Sequence, residues 1–153
     1  MDVALHEPDI PQNTAAILRT AACLGARVHI VGPAAFDLSD RATRRAGLDY
    51  AHRAPLVRHA DFAAFLATVS SRVVLFTTRA RTIVTDFAFA PDDVLLFGSE
   101  SRGVPDAVHA ACPHAVRIPL APGARSLNLA VAVGVGLFEA LRCCGALTAK
   151  GPS

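Results

Sequence analysis

Apolar residues follow two rhythms along this chain, and the two take turns. Short runs rich in valine, isoleucine and leucine recur at VALH (3–6), RVHIV (27–31), APLVR (54–58), RVVLFT (72–77), DVLLFG (93–98) and AVRIP (115–119). Their length and β-branched content predict strands. Between them the apolar spacing widens to helical periodicity, which predicts helices over 12–24, 39–46, 60–69, 105–111 and 127–146. Strands that alternate with helices predict an α/β fold, a largely parallel sheet with helices on both faces.

The flanks of these elements sharpen the reading. The first helix opens at DIPQNT, where Pro11 suits an opening turn and Asn13 or Thr14 is a candidate cap, and it stops at Gly25. Ile17, Ala21 and Leu24 share one of its faces. Arg19, about 200° round the wheel from Ile17, points away from that face. The last helix is apolar nearly all round: Leu129, Val133 and Leu137 lie on one side and Val131, Val135 and Phe138 on another, with Ala130, Gly134 and Gly136 as small residues. Such a helix needs cover on two faces, which predicts one face on the sheet and the other in a two-fold dimer. It also opens, unexpectedly, with the polar residues Arg125, Ser126 and Asn128. These are either ordinary capping groups or the lip of a binding site.

Three loops follow three apolar strands: TTRAR (77–81), GSESRGVP (98–105) and PLAPGARS (119–126). Ligands of open α/β sheets collect outside the carboxyl ends of strands, so these loops are expected to converge on one crevice. Neither a GxGxxG nor a GxxxxGK[ST] fingerprint occurs, and no GxSxG elbow. The six histidines are scattered without a catalytic spacing.

Length and composition then bound the class. The chain has 153 residues, 52% hydrophobic and 18% charged, which fits one ordered domain over 1–147 with a short flexible tail at 148–153. Fourteen of the fifteen basic residues are arginine, with Arg41, Arg44 and Arg45 clustered, a composition that suits phosphate and hence RNA as well as a GC-rich genome. Cys23, Cys112, Cys143 and Cys144 show no metal-ligand spacing, so no metal is expected and reduced thiols in the cytoplasm are. No segment reads as a secretory signal or a membrane span.

Three stretches carry a family resemblance: EPDIPQNTAAILRTAACLGARVHIVGP with RRAGLDY, then LLFGSESRGVP, then IPLAPGARSLNLAVAVGVGLFEALR. They resemble the three motifs of the SpoU branch of the SPOUT methyltransferases, and most closely the TrmL type, which methylates the ribose 2′-hydroxyl of the tRNA wobble nucleotide. The likeness runs from about residue 2 to residue 142, with the motifs in family order and spacing. It implies a deep carboxyl-terminal trefoil knot, S-adenosylmethionine as cofactor, a homodimer as active unit and the anticodon arm of tRNA, leucine isoacceptors among them, as partner.

The same resemblance assigns residues. It places the cofactor near Phe76 and Thr77, at Gly98, at Ile118, and at Ser126 with Leu127. Arg19 matches an arginine essential for turnover, for which a phosphate clamp is physically easier than a role as base, because a guanidinium seldom gives up its proton. Asn13 matches the asparagine that supports this arginine, Glu100 the acid of the second motif, and Asn128 a site-lining residue. Arg19, Arg44, Arg45 and Arg125 are the expected RNA contacts. Departures fall at Ala15 and Ala16, where relatives read NTGN, at Ala130 in place of a serine, and at Phe138 in place of a tyrosine. Two further readings stand beside wobble methylation: a SPOUT enzyme for another tRNA or ribosomal site, and an RNA-binding protein without catalysis.

Overall fold

The computed structural model describes residues 1–36 and 55–147. The expected helix at 39–46, the arginines Arg41, Arg44, Arg45 and Arg53, and the expected tail at 148–153 lie outside the described residues.

Seven strands form one sheet: β1 (Asp2–His6), β2 (Arg27–Val31), β3 (Leu56–His59), β4 (Val73–Phe76), β5 (Thr82–Ile83), β6 (Val94–Phe97) and β7 (His114–Arg117). Their order is β3-β2-β1-β6-β4-β7-β5, and every pairing is parallel. The helices are α1 (Pro11–Leu24), α2 (Phe62–Thr68), α3 (Asp106–Ala111) and α4 (Leu129–Cys143), with a 3-10 turn at Val84–Asp86. Six strands and four helices therefore stand where the sequence patterning places them, with ends trimmed by a few residues. The seventh, β5, is two residues long, too short for any alternation to announce it.

Alternation along each strand sorts the core into two layers. Val3, Leu5, Val28, Ile30, Val74, Phe76, Leu95 and Phe97 face α1 and α4, where they meet Ile17, Leu18, Ala21, Val133 and Leu137. Ala4, Val31, Leu75, Val94 and Leu96 face the other way and pack with Phe65 of α2 and Val108 of α3. Helices thus cover both faces of the sheet, as expected.

The first helix corrects one expectation. Ile10 occupies the N-cap position and makes no side-chain capping bond, while Pro11 takes the first turn. Asn13 and Thr14 lie inside the helix and are both buried, Thr14 with its hydroxyl unpartnered. Neither caps, because Pro11 with its fixed φ opens the helix ahead of them and leaves both inside it. Gly25 ends the helix with φ 73°, as its position predicts.

In α4, Leu129, Val133 and Leu137 are buried on the sheet, whereas Val131, Val135 and Phe138 are 51%, 42% and 51% exposed. The close seating of this helix depends on Gly136. A Cβ there would fall 2.6 Å from Cε1 of Phe76, well inside van der Waals contact.

Candidate functional site

The strand order explains why one region of this molecule can gather so many polar loops. β4 lies between β6 and β7, and β1 lies on the far side of β6. Because all strands run parallel, the loops that leave β4, β6 and β7 emerge side by side at the same edge. The segment after β1 joins them. Between these loops lies a cavity of about 600 Å³, a size usual for small-molecule sites.

Its walls are drawn from all three loops and from both ends of the chain. Phe76, Thr77 and Arg79 come from the first loop, Gly98 to Glu100 and Arg102 to Val104 from the second, and Ile118, Leu120 and Arg125 to Leu129 from the third. Ile10 and Asn13 close one side, and Phe97, His109 and Ala132 complete the lining. Phe76, Thr77, Gly98, Ile118, Ser126 and Leu127, the residues expected to meet a cofactor, are thus brought together. Asn13, Glu100, Arg125 and Asn128 stand with them.

The second loop is folded tightly on itself. Ser99 and Gly103 exchange backbone hydrogen bonds of 3.1 and 2.9 Å, and a Cβ on Gly98 would lie 2.3 Å from the carbonyl carbon of Gly103. Only glycine fits at 98. Gly103 adopts φ 67°, the left-handed conformation that glycine takes without strain.

A directed chain of hydrogen bonds crosses the site. The side-chain oxygen of Asn128 accepts from the backbone N–H groups of Ala130 and Val131 at 2.9 and 3.3 Å, which caps α4. Its amide nitrogen must then face outward, and it donates to Oδ1 of Asn13 at 2.9 Å. Asn13 in turn donates from Nδ2 to Oε1 of Glu100 at 2.9 Å. The second carboxylate oxygen of Glu100 accepts from the N–H of Asp9 at 3.1 Å. The helix start therefore fixes the sense of every amide in the chain, and Glu100 ends it as a pure acceptor. Asn128 is both a cap and a lining group, which joins the two readings of the polar opening of α4.

Glu100 is the only acidic side chain among the described residues that line the cavity. Burial pushes its carboxyl above the ordinary range, while hydrogen bonds with Glu100 and Ser101 hold Asp9 down at about 2. Around the mouth, Arg79 pairs with Asp106 at 2.7 Å and Arg102 with Glu7 at 3.4 Å. Burial lowers the pKa of His109, which lines the wall together with Arg125. Arg79, Arg102, His109 and Asp9 were not singled out as site residues from the sequence. Arg79 and Arg102 stand in two of the loops picked out there, and that loop position was the available signal.

Arg19 lies on the exposed side of α1 and is not among the residues lining the cavity. The departures also find places. Ala15 is 1% exposed and belongs to the core, Ala130 packs against that core, and Phe138 stands on the outer face of α4. None of the three lines the cavity. Among the described residues no group of three His, Cys, Asp or Glu side chains is arranged to hold a metal. No described helix is long and apolar enough to cross a membrane.

A parallel α/β sheet with helices on both faces, its cavity built from strand-end loops, defines the class as an open-sheet α/β ligand-binding fold. The model of the SpoU rRNA methylase family matches residues 1–138, and the chain belongs to that family. A tRNA (cytidine(34)-2′-O)-methyltransferase of Beijerinckia indica is 53% identical over 148 residues, covering 95% of this chain and 92% of the relative. A solved structure concerned with 2-OH methylation of C/U34 on tRNA superposes with a TM-score of 0.87 at 44% identity, covering 93% of this chain and 89% of that one. The SpoU methyltransferase AviRb of Streptomyces viridochromogenes, in complex with the cofactor AdoMet, gives a TM-score of 0.85 at 30% identity, over 93% of this chain and 57% of AviRb.

Proposed function

We propose that this chain transfers a methyl group from S-adenosylmethionine to the ribose 2′-hydroxyl of the tRNA wobble nucleotide, cytidine 34 or a modified uridine 34, in leucine isoacceptors. The observation that carries this reading is the convergence of the three strand-end loops on one cavity in whose wall Glu100, the sole acid among the described residues there, is tied by hydrogen bonds to the start of α4. The named relatives supply the reaction.

The residues present suit the donor. Phe76, Phe97, Ile118, Leu120 and Leu127 offer apolar walls for an adenine ring, the glycine-shaped turn at Gly98 lets backbone approach, and one carboxylate complements a sulfonium charge. When bound, the donor brings an electrophilic methyl group. What remains for the protein is alignment and a place for the proton that the ribose hydroxyl gives up. Holding two reactants in line is worth on the order of 7–11 kcal/mol of barrier in favourable cases. The Asn128 to Glu100 chain holds the cavity wall in one arrangement. Arg125, Arg44 and Arg45 attract the anticodon arm, and Arg19 clamps a phosphate beside the target ribose. The exposed Val131, Val135 and Phe138 pack against a second copy about a two-fold axis. The enzyme works in the cytoplasm on its tRNA.

The test uses methyl-labelled S-adenosylmethionine and two tRNAs that differ only at nucleotide 34, one with ribose and one with 2′-deoxyribose. Label is expected on the first and absent from the second. Equal labelling of both contradicts the reading, and so does labelling of neither.

A further inference from the structure

The segment that follows β1 makes contacts for which the proposed reaction gives no reason. Asp9 sits in it, between the end of β1 and the start of α1, and its carboxylate faces the loop at 98–103. Oδ1 accepts from the N–H of Glu100 at 3.2 Å and Oδ2 from the N–H of Ser101 at 3.3 Å. The Ser101 hydroxyl also donates to Oδ2. In return the Asp9 N–H donates to Oε2 of Glu100 at 3.1 Å.

Two consecutive backbone N–H groups converging on one carboxylate form a small anion cradle, and here the anion belongs to the protein. The cradle and the reverse bond lock both the backbone and the side chain of Glu100 to a segment 91 residues away in sequence. The Ser99 to Gly103 pairing shapes the loop internally but does not fix where it stands against α1. Asp9 does that. The low pKa of Asp9, held at about 2 first by the Glu100 side chain, then by the Ser101 hydroxyl and more weakly by the two amides, keeps the anion in place throughout the neutral range.

We propose that Asp9 is a positioning residue: through the Glu100 and Ser101 amides it sets the Glu100 carboxylate against Asn13, and so sets the wall on which methyl transfer depends. The inference rests on the methyltransferase reading for its kinetic consequence, and on the hydrogen bonds alone for its structural one. A wall residue displaced by about 1 Å costs up to on the order of 100-fold in rate.

The experiment compares wild type, Asp9→Ala, Asp9→Asn and Ser101→Ala. Three readouts are taken: amide hydrogen exchange at Glu100 and Ser101, thermal unfolding, and kcat with the KM for S-adenosylmethionine. Asp9→Ala is expected to speed exchange at both amides, leave the melting temperature unchanged and lower kcat about 10-fold or more, with a much smaller change in KM. Asp9→Asn keeps an acceptor oxygen and is expected to recover part of kcat. Ser101→Ala, which leaves both amide bonds, is expected to lose least. Unchanged exchange in Asp9→Ala overturns the proposal. So does a normal kcat, or a fall in kcat matched by loss of folded protein. Faster exchange in a protein whose wild type transfers no methyl group upholds the clamp and rejects the methyltransferase reading instead.

Discussion

Glu100 stands where opposing demands meet. Its two oxygens accept from Asn13 and from the Asp9 N–H, which favours the carboxylate, while burial and then the neighbouring Asp9 carboxylate favour the acid and prevail. A carboxyl raised in the fold stabilises it when protonated, and that contribution is lost as pH rises through the raised value. The ionised form that orders the wall therefore costs stability at neutral pH. Protonation takes one acceptor away, so kcat/KM is expected to fall on the acid side at a pH above 4.5, the ordinary value for this group. Glu100→Gln, which turns a donor toward a donor, is expected to be slow and to lose that limb. A pH profile of both proteins decides it, and an unchanged limb in Glu100→Gln removes Glu100 from the account. At this scale much of the site was legible. Asn13, Glu100 and Asn128 stood out by motif, and polar residues opening an apolar helix raised the right question at Ser126 and Asn128. Asp9 did not stand out, because its role lies in a pairing between β1 and β6 that no local pattern encodes.

Elements carry their own tests. Gly136 sits under the ring of Phe76, and a methyl group there meets Cε1 and Cζ at 2.6 and 2.9 Å. Gly136→Ala gains helix propensity, yet overpacking of a fixed core costs about 1–3 kcal/mol and outweighs it. Chemical denaturation is expected to show a net loss of stability, together with weaker donor binding, since Phe76 lines the cavity. A more stable variant contradicts the packing described for α4. The central strands were legible as short continuous apolar runs, since both their faces are buried, and the longer helices by their helical period. The exceptions have physical reasons. β5 has too few residues to show alternation, and the opening of α1 is governed by Pro11, which frees Asn13 from capping and lets it reach Glu100.

The whole molecule adds what no single element contains. Strand order places β4 between β6 and β7, and this alone turns three separate loops into one cavity. The sequence pointed to convergence through the general behaviour of parallel sheets, but the order itself depends on long-range pairing. The apolar outer face of α4 is the second large-scale feature. Phe138→Asp, placing a charge at a residue 51% exposed, is expected to convert the proposed two-fold dimer to monomer in sedimentation without unfolding it. A wild type that sediments as a monomer contradicts the proposed assembly. The central claim is that the three loops form one donor site, and titration of S-adenosylmethionine into the wild-type protein by calorimetry tests it most directly. Saturable heat at one site per chain is expected, with binding lost in folded Gly98→Ala, where the added carbon meets the backbone of Gly103. Absence of heat from the wild type, or full binding by Gly98→Ala, contradicts it.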